Sequence, residues 1–392
     1  MGAGGPWREG DPLGHRRVVD VGTITLEARG ALPDVTVAYE TWGTLNEARD
    51  NAVLVLHALT GDSHVSGPAG PGHPTPGWWD ALVGPGRALD TDRWFVVAPN
   101  VLGGCQGTTG PSSTAPDGRP WGSRFPFLTV RDQVEAEARL ADRLGIDTWA
   151  SVIGGSMGGM RVLEWAVTHP DRVRSALVLA SSAVATAEQI AWCQPQLLAI
   201  RSDPAWHGGD YHAHPGPGPV AGLGIARRIA HTTYRSEREL AERFGRTPQG
   251  DEQPLGGGGR YAVESYLDHH ASKLAARFDP GTYVVLTEAM NSHDVGRGRG
   301  GVAQALRRVR ADLVVAAVDS DRLYPPRLSE DIVAATPAAR PLLTIESPYG
   351  HDGFLIETHQ VASVVRQLLP APAVADSRCA GSVVRASGSR HP

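Results

Sequence analysis

The chain has 392 residues, 41% apolar and 20% charged, with a formal net charge of −5. This composition can fill a sizeable core, carries too few charges for a disordered chain and lacks a basic nucleic-acid footprint. No apolar run approaches the ~18 residues that cross a membrane, Met1 to Arg17 holds no apolar signal core, and the scattered Cys105, Cys193 and Cys379 give neither a disulfide framework nor zinc spacing.

In chain order, the strand-like segments are Val35 to Glu40, Val53 to Leu56, Trp94 to Ala98, Ala150 to Ile153, Ala176 to Leu179, Leu313 to Val318 and Leu342 to Glu346. Short continuous Val/Leu/Ile/Ala runs are the pattern of strands buried on both faces. Helical patterns at Val130 to Leu144 and Met160 to His169 alternate with them, so the expected fold is α/β with a mostly parallel sheet. Between the fifth and sixth strands the alternation stops. Helical patterns follow one another instead: Ala187 to Arg201, Ala221 to Ala230, Ser236 to Phe244, Arg260 to Phe278 and Gly281 to Met290. The expected organisation is a catalytic core over 17–183 and 311–370, a helical lid insertion over 184–310, and disordered tails over 1–16 and 371–392.

Gly154-Gly155-Ser156-Met157-Gly158 follows a strand and precedes a helix. This G-x-S-x-G pattern in a strand–turn–helix context is a nucleophile elbow. Its glycines keep the tight turn free of collisions, and its helix N-terminus faces a developing oxyanion. A serine nucleophile needs a base, and the base needs an orienting carboxylate, in the chain order Ser, Asp/Glu, His. Leu313 to Val318 runs into Asp319-Ser320-Asp321, and the last strand runs into Gly350-His351-Asp352-Gly353. The expected triad is therefore Ser156, Asp321 (preferred over Asp319) and His351. The backbone N–H groups of Met157 and of Leu59, after the strand Val53 to Leu56, are the expected oxyanion donors. His57 reads as structural. The histidines of His207 to His214 flank a proline-rich linker without helical i, i+4 spacing, which is the pattern of a solvated loop rather than a metal site.

The chain resembles the homoserine O-acetyltransferase family of the α/β-hydrolase superfamily. The resemblance lies in His57-Ala58-Leu59-Thr60-Gly61, Pro76-Gly77-Trp78-Trp79-Asp80, Asn100 to Pro111, the elbow, Thr233-Tyr234-Arg235, Val263 to Leu267, Arg277-Phe278-Asp279 and Gly350 to Leu355. It spans about residues 17 to 370; the Trp78-Trp79 and Gly103-to-Pro111 segments are its most specific parts. It departs from the family at Asp268-His269-His270 and in the glycine-rich stretches 256–259 and 296–301.

The resemblance implies an α/β-hydrolase fold and the same triad. It implies a homoserine pocket in which Arg227 clamps the α-carboxylate, Asp352 holds the α-ammonium and Tyr234 contributes to the wall. It further implies acetyl-CoA as co-substrate with no bound cofactor or metal, and a cytoplasmic homodimer joined through lid helices, without membrane or nucleic-acid partners. The implied reaction is ping-pong acetyl transfer to L-homoserine, giving O-acetyl-L-homoserine for methionine biosynthesis. Homoserine O-succinyltransferase, serine O-acyltransferase and an esterase-type hydrolase are the alternatives. A succinyl donor would need a cation near the acyl pocket, and none is assignable from the sequence.

Overall fold

The computed structural model describes residues 6–369. Eight strands build one sheet: β1 (Arg17–Thr25), β2 (Ala31–Trp42), β3 (Ala52–Leu56), β4 (Phe95–Pro99), β5 (Ser151–Gly155), β6 (Ser175–Leu179), β7 (Asp312–Val318) and β8 (Leu343–Ile345). They lie in the order β1-β2-β4-β3-β5-β6-β7-β8. β2 is antiparallel to both neighbours, and every other pairing is parallel. Every residue of β3, β5 and β6 is buried, which follows from helices covering both faces of a parallel sheet.

On one face pack α1 (Val130–Leu144) and α2 (Met157–Thr168), through Val134, Leu140, Val162, Leu163 and Trp165. α1 is held in register by a Thr129–Asp132 capping box and ends on Gly145 in the left-handed conformation. The opposite face is covered by Trp79, Phe354 and the last helix.

Between β6 and β7 the chain leaves the sheet as α3 (Ala187–Arg201), α4 (Val220–Tyr234), α5 (Glu237–Phe244), α6 (Ala262–Ala275), α7 (Pro280–Asn291) and the short α8 (Val302–Leu306). Its two ends are zipped together: Ala185 N donates to His293 O at 2.9 Å and Val295 N to Ala183 O at 3.0 Å. The whole excursion thus leaves and rejoins the core through one narrow neck. The chain closes with α9 (Pro326–Ala335), α10 (Gly353–Ile356) and α11 (Thr358–Leu368), of which α11 lays Val361, Val364, Val365 and Leu368 on the sheet.

Several elements differ from the sequence expectation. β1 is absent from it because this strand sits at the edge, half exposed and interrupted by register shifts at Gly22. α2 begins at Met157 rather than Met160, because the elbow turn opens straight into the helix and Gly158 and Gly159 are already helical. Residues 6–16 lie on the body rather than apart from it: Arg16 is buried and donates to Gln106 Oε1 at 3.0 Å, and His15 N donates to His73 Nε2 at 2.9 Å. The expected tails at 1–5 and 371–392, and Cys379, fall outside the described residues. Nor is His207 to His214 simply solvated: Tyr211 is buried and donates to Asp279 Oδ1 at 2.6 Å, with His212 Nε2 3.3 Å from the same oxygen. Among the described residues, no helix is long and apolar enough to cross a membrane.

A buried ion pair ties these layers together beneath the elbow. Arg161 of α2 is fully buried; its Nη1 lies 2.6 Å from Glu137 Oε1 of α1, and its Nη2 donates to the carbonyl of His57 after β3. Trp165 Nε1 donates to the other Glu137 oxygen at 2.8 Å. Removing one charge of such a pair strands the other in a medium that cannot solvate it. Arg161→Met is therefore expected to lower unfolding free energy by about 3–5 kcal/mol, read as a drop in the urea midpoint at unchanged slope.

Candidate active site

β5 delivers Ser156 into a strained turn. The serine has φ 55° and ψ −124°, a conformation that side-chain-bearing residues rarely adopt. Three contacts hold it there: Ser156 N donates to Leu179 O at 3.0 Å, Met160 N to Ser156 O at 3.1 Å, and Ser181 Oγ to Ser156 O at 2.8 Å. The glycines are required by contact. A Cβ on Gly158 would sit 2.2 Å from the carbonyl oxygen of Leu56, and one on Gly154 would sit 2.6 Å from Gly158 itself. A Cβ on Gly159 would sit 2.6 Å from Ser181 Cβ.

The two late strand ends supply the partners. Asp321, after β7, is buried; its Oδ1 accepts from the backbone N–H groups of Leu323 and Tyr324, both at 2.8 Å. Its Oδ2 lies 2.6 Å from Nδ1 of His351. Asp319 instead accepts from Ser347 N at 2.9 Å, tying the ends of β7 and β8 together. Of the two carboxylates, Asp321 is therefore the one that contacts His351. Burial pulls the His351 pKa down, but the charge and hydrogen bond of Asp321 outweigh it and leave the imidazole above its ordinary 6.5.

Aromatic rings enclose that imidazole. Tyr324 stacks on it at 5.0 Å, Phe354 meets it edge-on at 5.4 Å, and Tyr234 lies at 5.8 Å. The Tyr324 phenol also interacts with the Ser156 side chain. Sequence reasoning missed Tyr324, although it sits three residues beyond Asp321, because an aromatic after an acid reads as ordinary core.

Met157 opens α2, so the helix itself leaves its amide without an acceptor. Leu59 follows β3 in a turn closed by Gly61 N to Ala58 O at 2.9 Å. His57 braces that turn: its Nδ1 is 2.7 Å from Ala58 O, and its Nε2 accepts from Val101 N at 3.1 Å. Burial and then the Arg161 charge push its pKa down to about 3, so it is a neutral strut and not a base. Leu59, Met160, Tyr234 and Tyr324 help line a cavity of about 30 Å³ with no charged residue in its wall.

Arg227, Asp352 and Tyr234 come together next to His351. Arg227 and Asp352 line one cavity of about 230 Å³, and the guanidinium lies over the Tyr234 ring at 5.2 Å. The Arg227 Nε and Nη1 atoms are buried without a hydrogen-bond partner. Arg228, the adjacent alternative, is committed to Asp268 Oδ1 at 2.7 Å. Burial raises the Asp352 pKa against the opposing charges of Arg227, His351 and Arg235. Arg235 Nη1 is 3.3 Å from Asp352 Oδ2, a positioning contact absent from the sequence reading.

Among the described residues, one group has metal-ligand spacing: buried Glu40, His64 and His73. Its hydrogen bonds fit protons better than a cation. Both His64 ring nitrogens face oxygens, Glu40 Oε2 at 2.9 Å and Pro68 O at 3.2 Å, while His73 Nε2 already accepts from His15 N.

A buried Ser, His and Asp after three parallel strands of one sheet, with a helix opening directly behind the serine, form the constellation of serine-nucleophile α/β-hydrolase-fold enzymes. The α/β hydrolase fold family model matches residues 51–358. The homoserine O-acetyltransferase of Thermobifida fusca is 67% identical over 368 residues, 94% of this chain and 97% of that protein. Two solved structures share the fold with a TM-score of 0.82. Esterase E22 is 27% identical, covering 90% of this chain and 99% of its own; the homoserine O-acetyltransferase from Bacillus anthracis is 26% identical, covering 91% and 97%. The chain belongs to the homoserine O-acetyltransferase family, the acyltransferase branch of this fold.

A general base must be neutral to accept a proton, so a raised pKa moves the acid limb of activity upward. The acid limb of kcat/KM for acyl-enzyme formation is expected above pH 6.5, on the side to which Asp321 moves His351. Asp321→Asn should shift that limb downward while lowering kcat by roughly 10⁴-fold, measured as a pH–rate profile of both proteins.

Proposed function

We propose that this protein transfers acetyl from acetyl-CoA to the hydroxyl of L-homoserine by a ping-pong mechanism, with Ser156, His351 and Asp321 as its triad. His351 takes the Ser156 proton as Oγ attacks the thioester carbonyl, and the Met157 and Leu59 amides receive the oxyanion. The C–S bond breaks, His351 gives its proton to the departing sulfur, and CoA leaves as the thiol. The homoserine hydroxyl then gives its proton to His351 and attacks the acetyl-enzyme. Collapse returns the proton to Ser156 and releases O-acetyl-L-homoserine.

The observation that carries this reading is the Arg227–Asp352 cavity. A guanidinium with two unpartnered buried nitrogens and a carboxylate, both beside the catalytic histidine, suit the carboxylate and ammonium of an amino acid. An ordinary ester substrate needs neither. The uncharged wall of the cavity at Leu59 and Tyr324 favours acetyl over succinyl, whose carboxylate would be buried without a counter-charge. The helical insertion acts as a lid that positions the acceptor hydroxyl against competing water.

A second copy belongs to the same reading. Ile190 and Leu198 of α3 and Ile225 of α4 are 41%, 54% and 50% exposed, an apolar surface on the lid suited to self-association. The free thiols Cys105 and Cys193 fit a reducing cytoplasm. The hydrolase alternative is favoured by one observation, the likeness to esterase E22.

The test follows CoA release from acetyl-CoA or succinyl-CoA with homoserine, serine or no acceptor, with Ser156→Ala as control. Homoserine-dependent release from acetyl-CoA, lost in the variant, is the expected result. Acceptor-independent release would make this a hydrolase, and a preference for succinyl-CoA or serine would overturn the substrate assignment. In the same assay Arg227→Ala is expected to raise the homoserine KM by roughly 100-fold through loss of a charge-assisted pair.

A further inference from the structure

The cavity that holds Arg227 and Asp352 carries more positive charge than an amino-acid acceptor can use. Two lid helices face each other across it. α4 contributes Arg227 and His231, one helical turn apart, and α6 contributes His270 and Lys273, followed by Arg277 just past its end. Three permanent cations thus line the cavity with one carboxylate, Asp352, which Arg235 already contacts, while a second carboxylate, Asp62, lies 3.9 Å from Arg277 outside the lining. Burial and the Arg227 charge keep both histidines largely neutral, His231 at about 2 and His270 at about 4.

Homoserine offers one carboxylate, and Arg227 is placed to take it. Lys273 is left over, and Arg277 adds its charge to the same wall. Lys273 is the only lysine in the chain, is exposed, and makes no ion pair among the described residues. Arg277 is fixed by donating Nη2 to Thr60 O at 2.5 Å, one residue beyond Leu59. Its Nη1 is buried without a hydrogen-bond partner, 3.9 Å from Asp62 Oδ2. An exposed ammonium without an ion pair, backed by a second cation in the same cavity wall, matches phosphate oxygens.

We propose that Lys273, with the Arg277 charge behind it in the same cavity wall, forms the subsite for the phosphate groups of the CoA thioester, steering the donor between α4 and α6 toward Ser156. This rests on the acetyl-CoA reading above. It assigns the two ends of the cavity different tasks: the acceptor amino acid is held at Arg227 and Asp352, and the donor's phosphates at the α6 end.

The experiment compares acetyl-CoA with S-acetyl-N-acetylcysteamine, an acetyl thioester that lacks the phosphates, as donors to homoserine. In Lys273→Glu the ratio of kcat/KM for acetyl-CoA to that for the short thioester is expected to fall about tenfold, and Lys273→Arg to restore it. The wild-type ratio should also fall as salt is added, because the subsite is at the surface. An unchanged ratio in Lys273→Glu, or an equal loss with both donors, would overturn the subsite while leaving acetyl transfer intact. Absence of homoserine-dependent transfer from either donor in the wild-type protein would instead overturn the acetyl-transfer reading and the subsite with it.

Discussion

The near-contact between the first turn of α2 and the end of β3 sets the geometry of everything that follows. Gly158 brings its Cα close enough to Leu56 that a single methyl would collide with a backbone carbonyl, which cannot rotate away. That approach puts the first turn of α2 against the backbone of Leu56 and His57, so the segments that carry Met157 and Leu59, far apart in sequence, lie side by side. The strained φ of Ser156 is its consequence: the chain must reverse within one residue to pass from β5 into a helix lying so close.

A close approach made only of glycines would be soft, and the charged network below it supplies stiffness. Arg161 projects from the same helix as Met157 and grips the carbonyl of His57, two residues before Leu59. Glu137 of α1 fixes Arg161 in turn, and His57 fastens the far side of the turn to Val101. Such a buried pair brings little net stability over an apolar core. Its value here is geometric, because a guanidinium holds a carbonyl in direction as well as in distance.

Legibility in the sequence followed the strength of local signals. The central strands were readable because burial on both faces leaves β3, β5 and β6 almost wholly apolar, with Ser151 and Ser175 as the first residues of β5 and β6. Asp321 and His351 were readable because strand ends place them. β1 was lost because an edge strand with one wet face mixes polar and apolar residues irregularly, and its bulges break the period of two. The choice between Arg227 and Arg228 could not come from spacing, since both lie on one helix. It depends on Asp268 across the lid, which takes Arg228 and leaves Arg227 free. Tyr324 was hidden for a related reason: only the fold shows that its ring lies on His351.

The distribution of charge in the lid explains how one histidine among several nearby keeps its proton affinity. His231 and His270 stack on each other at 3.9 Å, and His231 accepts or donates at Nε2 to the Tyr266 hydroxyl at 2.8 Å. Both sit in the field of Arg227, and burial adds to it, so charging either would place two cations side by side. His351 is as enclosed, but its neighbours are uncharged rings and two carboxylates, Asp321 aligned on Nδ1 and Asp352 next in the chain. The same burial that silences its neighbours strengthens the pull of Asp321, because the attraction is little screened there. Burial, with the Arg227 charge added to it, therefore keeps the imidazoles of His231 and His270 neutral, whereas Asp321 raises the proton affinity of His351.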